Sequence, residues 1–165
     1  MTQNLQNKII LITGASRGIG RAVALAASKA GANLIITGRT VGALEELDDD
    51  INAAGGKATI VELDMQDYEA MPRLAAAINR RWGRLDGFVA NAATLGSLAP
   101  LSHLDNSVWN DTIAINLTAQ WHFIKAMEPL LLAAKAGRAI LVLSLIHISE
   151  PTRLLSIGDG GVWVE

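Results

Sequence analysis

The sequence predicts an α/β fold with a doubly wound parallel sheet that stops after the fifth strand. Short apolar runs without polar alternation are separated by longer segments of helical periodicity, and the connections between them are short. Strands of this kind are buried on both faces, which is typical of a parallel sheet covered by helices on each side. The chain has 165 residues, 50% of them hydrophobic and 18% charged, which indicates one globular domain.

Each element follows from its own local signals. The predicted strands cover residues 8–13, 33–37, 58–63, 85–90 and 137–143. The predicted helices cover residues 19–30, 41–54, 67–82 and 107–134. Gly31 and Gly55 follow the first two helices, as expected of glycines that end helices. Because proline cannot donate a main-chain hydrogen bond, Pro72 marks the first turn or a kink of the third helix, and Pro129 predicts a bend in the fourth.

The loop between the first strand and the first helix, TGASRGIG, carries the first functional signal. Gly14 lets the chain turn sharply off the strand, and Gly18 and Gly20 leave out side chains where a phosphate must approach main-chain N–H groups. The helix that starts there presents its free amides and its positive dipole end to an anion. A glycine-rich turn without a ligand is the alternative explanation of this loop taken alone.

Four motifs occur in order along the chain: TGASRGIG, LDMQD with Asp64, ANAA with Asn91, and WNDTIAINL with Asn116. Through them the chain, from about Asn7 to Ser144, resembles the classical short-chain dehydrogenase/reductase family. The resemblance implies a Rossmann-like dinucleotide-binding portion over residues 1–142. It implies that the cofactor is bound by Gly14, Ser16, Arg17, Gly18, Ile19, Gly20, Arg39, Asp64, Met65, Asn91, Ala92 and Ala93.

The resemblance also implies a role for several of these residues. Asp64 and Met65 would edge the adenine ring, and Asn91 to Ala93 would line the path from the adenosine ribose to the nicotinamide. The family usually has glycine where this chain has Ala93. Asn116 would be the family's structural and catalytic asparagine, which holds a water that feeds protons toward the active site. Without the other motifs, Asp64 is better explained as a helix cap and Asn116 as a buried, hydrogen-bonded amide.

Charge at the end of the second strand predicts which dinucleotide is bound. A carboxylate there would bind the free ribose hydroxyls of NAD and repel a 2′-phosphate. This chain has Gly38 at that position, followed by Arg39, and Arg17 is a second cation within reach. Because two guanidinium groups suit a phosphate dianion, the sequence favours NADP(H) over NAD(H). The alternative is that Arg39 is a solvated surface charge.

The reaction implied by the resemblance is hydride transfer between NADP(H) and a small-molecule carbonyl or secondary alcohol, with a tyrosine moving the proton. That tyrosine belongs to a Tyr-x-x-x-Lys motif, which does not occur in this sequence. The one tyrosine, Tyr68, lies far before the expected position, and the last lysine is Lys135. The family's serine pair aligns with Ser144 and Leu145, the catalytic serine with the second, so Ser144 is an ambiguous catalytic candidate beside Asn116.

The end of the chain departs from the pattern. LSLIHISEPTR, residues 143–153, resembles the conceptual translation of a transposase-type sequencing adapter. We therefore expect residues 143–165 to be a non-native tail, and the native gene to continue from about Val142 into a serine and Tyr-x-x-x-Lys. A divergent, non-catalytic relative is the alternative. In either case we expect the fifth strand to be an uncovered edge, and the polypeptide as written to fold poorly and to turn over nothing.

Other function classes are disfavoured by composition. The net charge is −2 without a basic block, so we expect no nucleic-acid partner. There is no cysteine and no histidine cluster at metal spacing, so we expect no metal. We expect no membrane span and a cytoplasmic location, since no apolar run is long enough and no signal peptide is visible. The family resemblance implies a homo-oligomer. A dinucleotide-binding pseudoenzyme and a scaffold or interaction protein stay open as alternative functions.

Overall fold

The computed structural model describes residues 4–97 and 99–142. They form a sheet of five parallel strands in the order β3-β2-β1-β4-β5. The strands are β1 Ile9–Thr13, β2 Asn33–Gly38, β3 Lys57–Glu62, β4 Gly87–Ala90 and β5 Arg138–Leu141. The predicted α/β fold with a parallel sheet is therefore confirmed.

The helices lie between the strands as expected, with one difference in the last. They are α1 Gly18–Lys29, α2 Val41–Ala53, α3 Ala70–Trp82, α4 Asn106–Ile113 and α5 Ala119–Ala133. The segment predicted as one helix over residues 107–134 is divided by a π-helical turn at Ala114–Thr118, whereas α5 runs through Pro129. Pro72 is the third residue of α3, so it occupies the first turn, where its missing N–H costs little.

The apolar residues of β1 explain why the strand shows no polar alternation. Ile9 and Leu11 pack into one core cluster, and Ile10 and Ile12 pack into another. Successive side chains of a strand point to opposite faces, so the two clusters lie on the two faces of the sheet. Helices α3 and α5 supply the first cluster, and helices α1 and α2 supply the second. The sheet is therefore covered by helices on both sides.

The strand order positions the site. From β1 the chain builds outward through β2 and β3, and it then crosses to the other side of β1 to form β4 and β5. The loops that follow β1 and β4 leave the sheet at this switch point in opposite directions. Ligands of open α/β sheets bind in the crevice at the carboxyl ends of the strands at such a point.

Among the described residues, β5 forms one edge of the sheet, and all four of its residues are exposed. Its exposed side chains include the apolar Ile140 and Leu141. In the same part of the chain, every helix is too short or too polar to span a lipid bilayer.

Candidate functional site

A cleft of about 620 Å³ opens at the carboxyl edge of the sheet. Its walls are the loops that follow the first four strands, at the switch point between β1 and β4. All residues predicted to bind the cofactor line this cleft, except Gly20. The lining residues are Gly14, Ser16, Arg17, Gly18, Ile19, Thr37, Gly38, Arg39, Thr40, Ala43, Leu63, Asp64, Met65, Asn91, Ala92, Ala93, Thr94 and Ile115.

The three glycines of the first loop have different roles. Gly18 has φ +57° with open space around its Cα, so its main chain is accessible from the cleft. A Cβ on Gly14 would lie 2.8 Å from the Cα of Ala92, so this glycine allows the two loops to touch. A Cβ on Gly20 would lie 2.6 Å from Nδ2 of Asn91 and would strike the Gly14 carbonyl oxygen. Gly20 therefore allows α1 to pack closely against the Gly14 carbonyl and the Asn91 side chain.

Thr13 joins the two loops that form the floor of the cleft, and sequence reasoning missed it. Its side chain is fully buried. Its hydroxyl oxygen accepts hydrogen bonds from the main-chain N–H groups of Asn91 at 3.0 Å and Ala92 at 3.1 Å, and it donates to the Val89 carbonyl at 3.4 Å. A polar residue at the end of an otherwise apolar strand was the available signal.

The side chain of Asn91 completes this junction. Its Nδ2 donates to the carbonyl oxygens of Thr13 and Gly14, each at 3.1 Å. Its amide hydrogens are therefore used to hold the glycine loop against the loop after β4. Asn91 lines the cleft as expected, and the structure adds that it fixes the cleft's shape.

Asp64 lines the cleft and stabilises a turn, so it is not the helix cap that was the alternative from the sequence. It lines the cleft, and its Oδ1 accepts a hydrogen bond from the Gln66 N–H at 2.9 Å, which stabilises the turn after β3. A hydrogen bond joins this turn to helix α4, since Gln66 Nε2 donates to Asp111 Oδ1 at 3.0 Å. The Tyr68 ring stacks on His122 at 4.3 Å between ring centroids. The one tyrosine thus lies outside the cleft, and it precedes α3 instead of starting it.

Asn116 lies in the π-helical turn, beside the cleft and not in its lining. Its Oδ1 accepts from the Thr94 N–H and its Nδ2 donates to the Thr94 carbonyl, both at 2.8 Å. The side chain is therefore committed to the main chain of the loop after β4, as in the alternative that treats it as a hydrogen-bonded amide. Gln120, which sequence reasoning missed, donates from Nε2 to the Ala92 carbonyl at 2.8 Å. Ser144, the other catalytic candidate, lies outside the described residues.

The charged groups of the cleft are two arginines and one carboxylate. Arg17, Arg39 and Asp64 all line it, after the strands β1, β2 and β3 respectively. Within residues 4–97 and 99–142, neither arginine forms a salt bridge. Gly38, the last residue of β2, has no side chain that could repel an anion. In the same ranges no group of three or more metal-ligating side chains comes together.

Asp86, at the amino ends of the strands and away from the cleft, has a clearly shifted pKa. Asp86 precedes β4, and its carboxylate accepts hydrogen bonds from Lys8 Nζ at 3.1 Å, Arg84 Nε at 3.1 Å and the Ile9 N–H at 3.0 Å. Burial alone raises the pKa of Asp86, but these hydrogen bonds outweigh burial and hold the pKa below its ordinary value. This carboxylate stabilises the fold at the far end of the strands from the cleft.

Comparison with known proteins identifies the family. A family model described as short chain dehydrogenase matches residues 8–152, which extends past Val142, the predicted boundary of the native portion. The chain is 35% identical over 145 residues to the uncharacterized oxidoreductase YciK of Escherichia coli (strain K12), covering 86% of this chain and 58% of YciK. It is 33% identical over 153 residues to (-)-trans-carveol dehydrogenase of Rhodococcus erythropolis, covering 85% and 55%.

Solved structures agree. A short chain dehydrogenase from Escherichia coli CFT073 complexed with NADPH superposes with a TM-score of 0.84 at 34% identity, covering 90% of this chain and 63% of that one. A second, from Shigella flexneri 2a str. 301 and complexed with NADP, gives a TM-score of 0.82 at 36% identity, covering 89% and 63%. The chain spans a little more than half the length of the curated relatives named above. Because the family model matches residues 8–152, the chain belongs to the short-chain dehydrogenase/reductase family of oxidoreductases.

Proposed function

We propose that this protein is an NADP(H)-dependent oxidoreductase that transfers hydride between the cofactor and a carbonyl or secondary alcohol of a small molecule. The observation that carries the proposal is that two arginines, Arg17 and Arg39, line the cleft after the neighbouring strands β1 and β2, with Gly38 where a ribose-binding carboxylate would stand. Relatives solved with NADPH and with NADP support the same cofactor.

The residues of the cleft fit a dinucleotide. Arg17 caps α1 without a side-chain hydrogen bond, so the first N–H groups of the helix have no capping acceptor. These groups and the accessible main chain of Gly18 suit a pyrophosphate. The carboxylate of Asp64 and the buried Met65 form the wall that would meet the adenine. Once bound, the cofactor would supply or accept the hydride.

Charge supports NADP(H) over NAD(H). A 2′-phosphate at the end of β2 would meet two guanidinium groups that are not neutralised by a carboxylate in the described part of the chain. Charge-assisted hydrogen bonds of this kind are stronger than those between neutral groups. With glycine at position 38, the end of β2 offers no carboxylate of its own to the ribose hydroxyls of NAD.

Proton transfer requires residues that this sequence does not contain. No Tyr-x-x-x-Lys occurs in it, and Tyr68 is stacked on His122 outside the cleft. We therefore propose that residues 143–165 are non-native, that the polypeptide as written is inactive, and that the genomic protein continues into a serine and Tyr-x-x-x-Lys. The same observation favours a second candidate, a dinucleotide-binding protein without catalysis. Sequencing the genomic locus across codons 137–165 distinguishes the two.

We also propose a homo-oligomer in the cytoplasm. Helices α4 and α5 and the turn between them expose Trp109, Leu117 and Trp121, whose exposed fractions are 54%, 63% and 56%. Large apolar side chains grouped on one surface are typical of a protein–protein contact. The absence of cysteine from the sequence suits a reducing compartment.

The test of cofactor choice compares two variants of the protein expressed from its genomic locus. We expect wild type to bind NADPH at least about 10-fold more tightly than NADH. Arg39→Ser should weaken NADPH binding by about 10–100-fold, the value of a charged hydrogen bond or two, and change NADH binding by less than about 2-fold. The matched control is Arg73→Ser, which removes an exposed arginine of α3 away from the cleft and should change neither.

Titration of the intrinsic fluorescence with each dinucleotide gives the dissociation constants. Equal affinities of wild type for NADPH and NADH would contradict the assignment of cofactor. Absence of binding by either would favour the scaffold alternative. Turnover is then measured by NADPH oxidation with a panel of aldehydes and ketones, and an intact genomic protein that binds NADPH without any turnover would select the non-catalytic candidate.

A further inference from the structure

Gln120 is the one polar residue among the buried residues of helix α5. Its exposed fraction is 5%, and the other buried residues of the helix, all apolar, are Ala119, Phe123, Met127 and Leu130. A buried amide must be desolvated, and it is tolerated where it makes a hydrogen bond that the structure uses. Its contacts therefore indicate what it does.

The amide of Gln120 holds the main chain at the floor of the cleft. Its Nε2 donates to the Ala92 carbonyl at 2.8 Å, and the N–H of the same alanine donates to the buried hydroxyl of Thr13 at 3.1 Å. Both main-chain groups of Ala92 are thus bound by buried side chains, one from α5 and one from β1. The Cα of Ala92 also lies against Gly14, at the point where a Cβ would come within 2.8 Å. A movement of Ala92 would therefore press on the glycine loop.

Asn116, four residues before Gln120, also binds the main chain of the loop after β4. It binds both the N–H and the carbonyl of Thr94 at 2.8 Å. Successive residues of an extended segment present their main-chain groups to opposite sides. The carbonyl of Ala92 and both main-chain groups of Thr94 are held from the helix side. We therefore expect the main chain of Ala93 between them to be turned toward the cleft, which Ala93 lines.

The other end of the same amide is unsatisfied. Oε1 of Gln120 is buried without a hydrogen-bond partner among the described residues. A buried acceptor without a partner destabilises the fold, and an apolar side chain of the same size would avoid this cost. Stability alone therefore does not explain a glutamine here, whereas the position of Ala92 does.

We propose that Gln120 is a positioning residue of the cofactor site. It does not line the cleft, but it sets the main chain of Ala92 and Ala93 against the glycine loop, and the affinity for the dinucleotide depends on it. The inference rests on the proposed function. It predicts an effect confined to the part of the ligand that reaches Ala93, and no effect on the end held by Arg17 and Arg39.

The experiment uses the protein expressed from its genomic locus and two ligands, NADP⁺ and 2′,5′-ADP. The second contains only the adenosine end with its 2′-phosphate. Gln120→Met removes both amide groups at similar volume. The variant leaves the Ala92 carbonyl without its donor, but it also removes the unsatisfied Oε1 acceptor. One unpaired acceptor thus replaces another, and the Tm without ligand should stay within about 3 °C of wild type. Affinity for NADP⁺ should fall about 10-fold, and affinity for 2′,5′-ADP should change less than about 2-fold.

The matched control is Met127→Leu, a volume-conserving change of another buried residue of α5, which should alter neither affinity. Unchanged NADP⁺ binding by Gln120→Met would overturn the inference. Loss of both ligands together, or loss of the folded circular dichroism signal, would make Gln120 a purely structural residue and would also overturn it. If wild type binds neither ligand, the proposed function itself fails, which is a different result from the first two.

Discussion

Side-chain contacts join strands β1 and β4 at both ends, with charged groups at one end and neutral groups at the other. At the amino ends the contact is charged, since the carboxylate of Asp86, with an exposed fraction of 7%, binds Lys8 and Arg84. At the carboxyl ends the contact is neutral, since Thr13 and Asn91 join the loops through a hydroxyl and an amide. We refer to these two sets of contacts as the charged end and the neutral end, and both stabilise the same pair of strands.

The difference shows how a fold can combine stability with an anion site. A structural carboxylate placed where β1 and β4 end, beside the glycine loop, would repel phosphate and compete for the loop's N–H groups. Neutral groups hold the loops there without adding negative charge, so Arg17 and Arg39 keep their charge available to a ligand. The carboxylate that the strands do use lies at the end where no ligand site is formed.

The largest expected effect on the free energy of unfolding is that of a change at Thr13, at the neutral end. Thr13→Val keeps the shape of the side chain but leaves the buried N–H groups of Asn91 and Ala92 without their acceptor. Each unsatisfied donor costs free energy, so the free energy of unfolding should fall by about 3 kcal/mol. Chemical denaturation of wild type and variant measures the difference.

The control for this variant is Thr13→Ser, which keeps the hydroxyl and loses a buried methyl group, at a cost of about 1 kcal/mol. If Thr13→Val and Thr13→Ser destabilise the protein equally, the hydroxyl is not what holds the loops together. The hydrogen bonds of the neutral end would then be weaker than their geometry indicates.

The charged end should show a smaller effect that depends on pH. Asp86→Asn removes a carboxylate bound by two cations and a main-chain N–H, and at neutral pH it should lower the free energy of unfolding by about 2 kcal/mol. Because the pKa of Asp86 is lowered below its ordinary value of 3.8, this stability is fully present above that value. It is lost as the pH falls through the lower pKa of the folded state.

Urea denaturation between about pH 7 and pH 2 tests both parts of this prediction, since wild type and Asp86→Asn should converge at the acid end. Arg73→Gln is the exposed counterpart, because its partner Asp67 is half exposed, and it should cost less than about 1 kcal/mol. A constant difference between wild type and Asp86→Asn over the whole range would show that the carboxylate charge is not what matters.

The smallest expected effect on stability is that of Gly18, in the glycine loop that Asn91 holds at the neutral end. Gly18 and Gly42 both have free space around Cα, but Gly18 alone of the two has positive φ. Gly18→Ala should therefore cost about 1 kcal/mol of stability, whereas Gly42→Ala, in the first turn of α2, should be neutral or stabilising by up to about 1 kcal/mol. Thermal unfolding compares the two, and equal effects would mean that the loop relaxes away from this conformation.

Most of the fold could be predicted because its signals are local. The apolar run of β1 and glycines such as Gly31 belong to their own segments, and the structure places strands and helices within a few residues of the prediction. The π-helical turn at Ala114–Thr118 could not be predicted. Nothing in that segment resembles a helix breaker, and Pro129, which does, lies inside a continuous helix.

The residues that line the cleft could be predicted, whereas the residues that hold its loops together could not. Arg39 and Asp64 follow strand ends, so their position at the carboxyl edge follows from the topology. Thr13, Asn116 and Gln120 act on main-chain groups about 20 to 80 residues away in sequence, and such pairings exist only after the sheet has formed. The close packing of Gly20 could not be predicted for the same reason, since its neighbour Asn91 is supplied by the loop after β4.

The position of β1 at the centre of the sheet has a consequence for synthesis. Its first partner, β2, is complete at Gly38, but its second, β4, begins only at Gly87. At translation rates of about 5–20 residues per second, one side of the central strand stays without its partner for several seconds. An unpaired apolar strand is a template for pairing with another chain. The speed of translation through residues 39–86 therefore sets how long the nascent chain is exposed to mispairing.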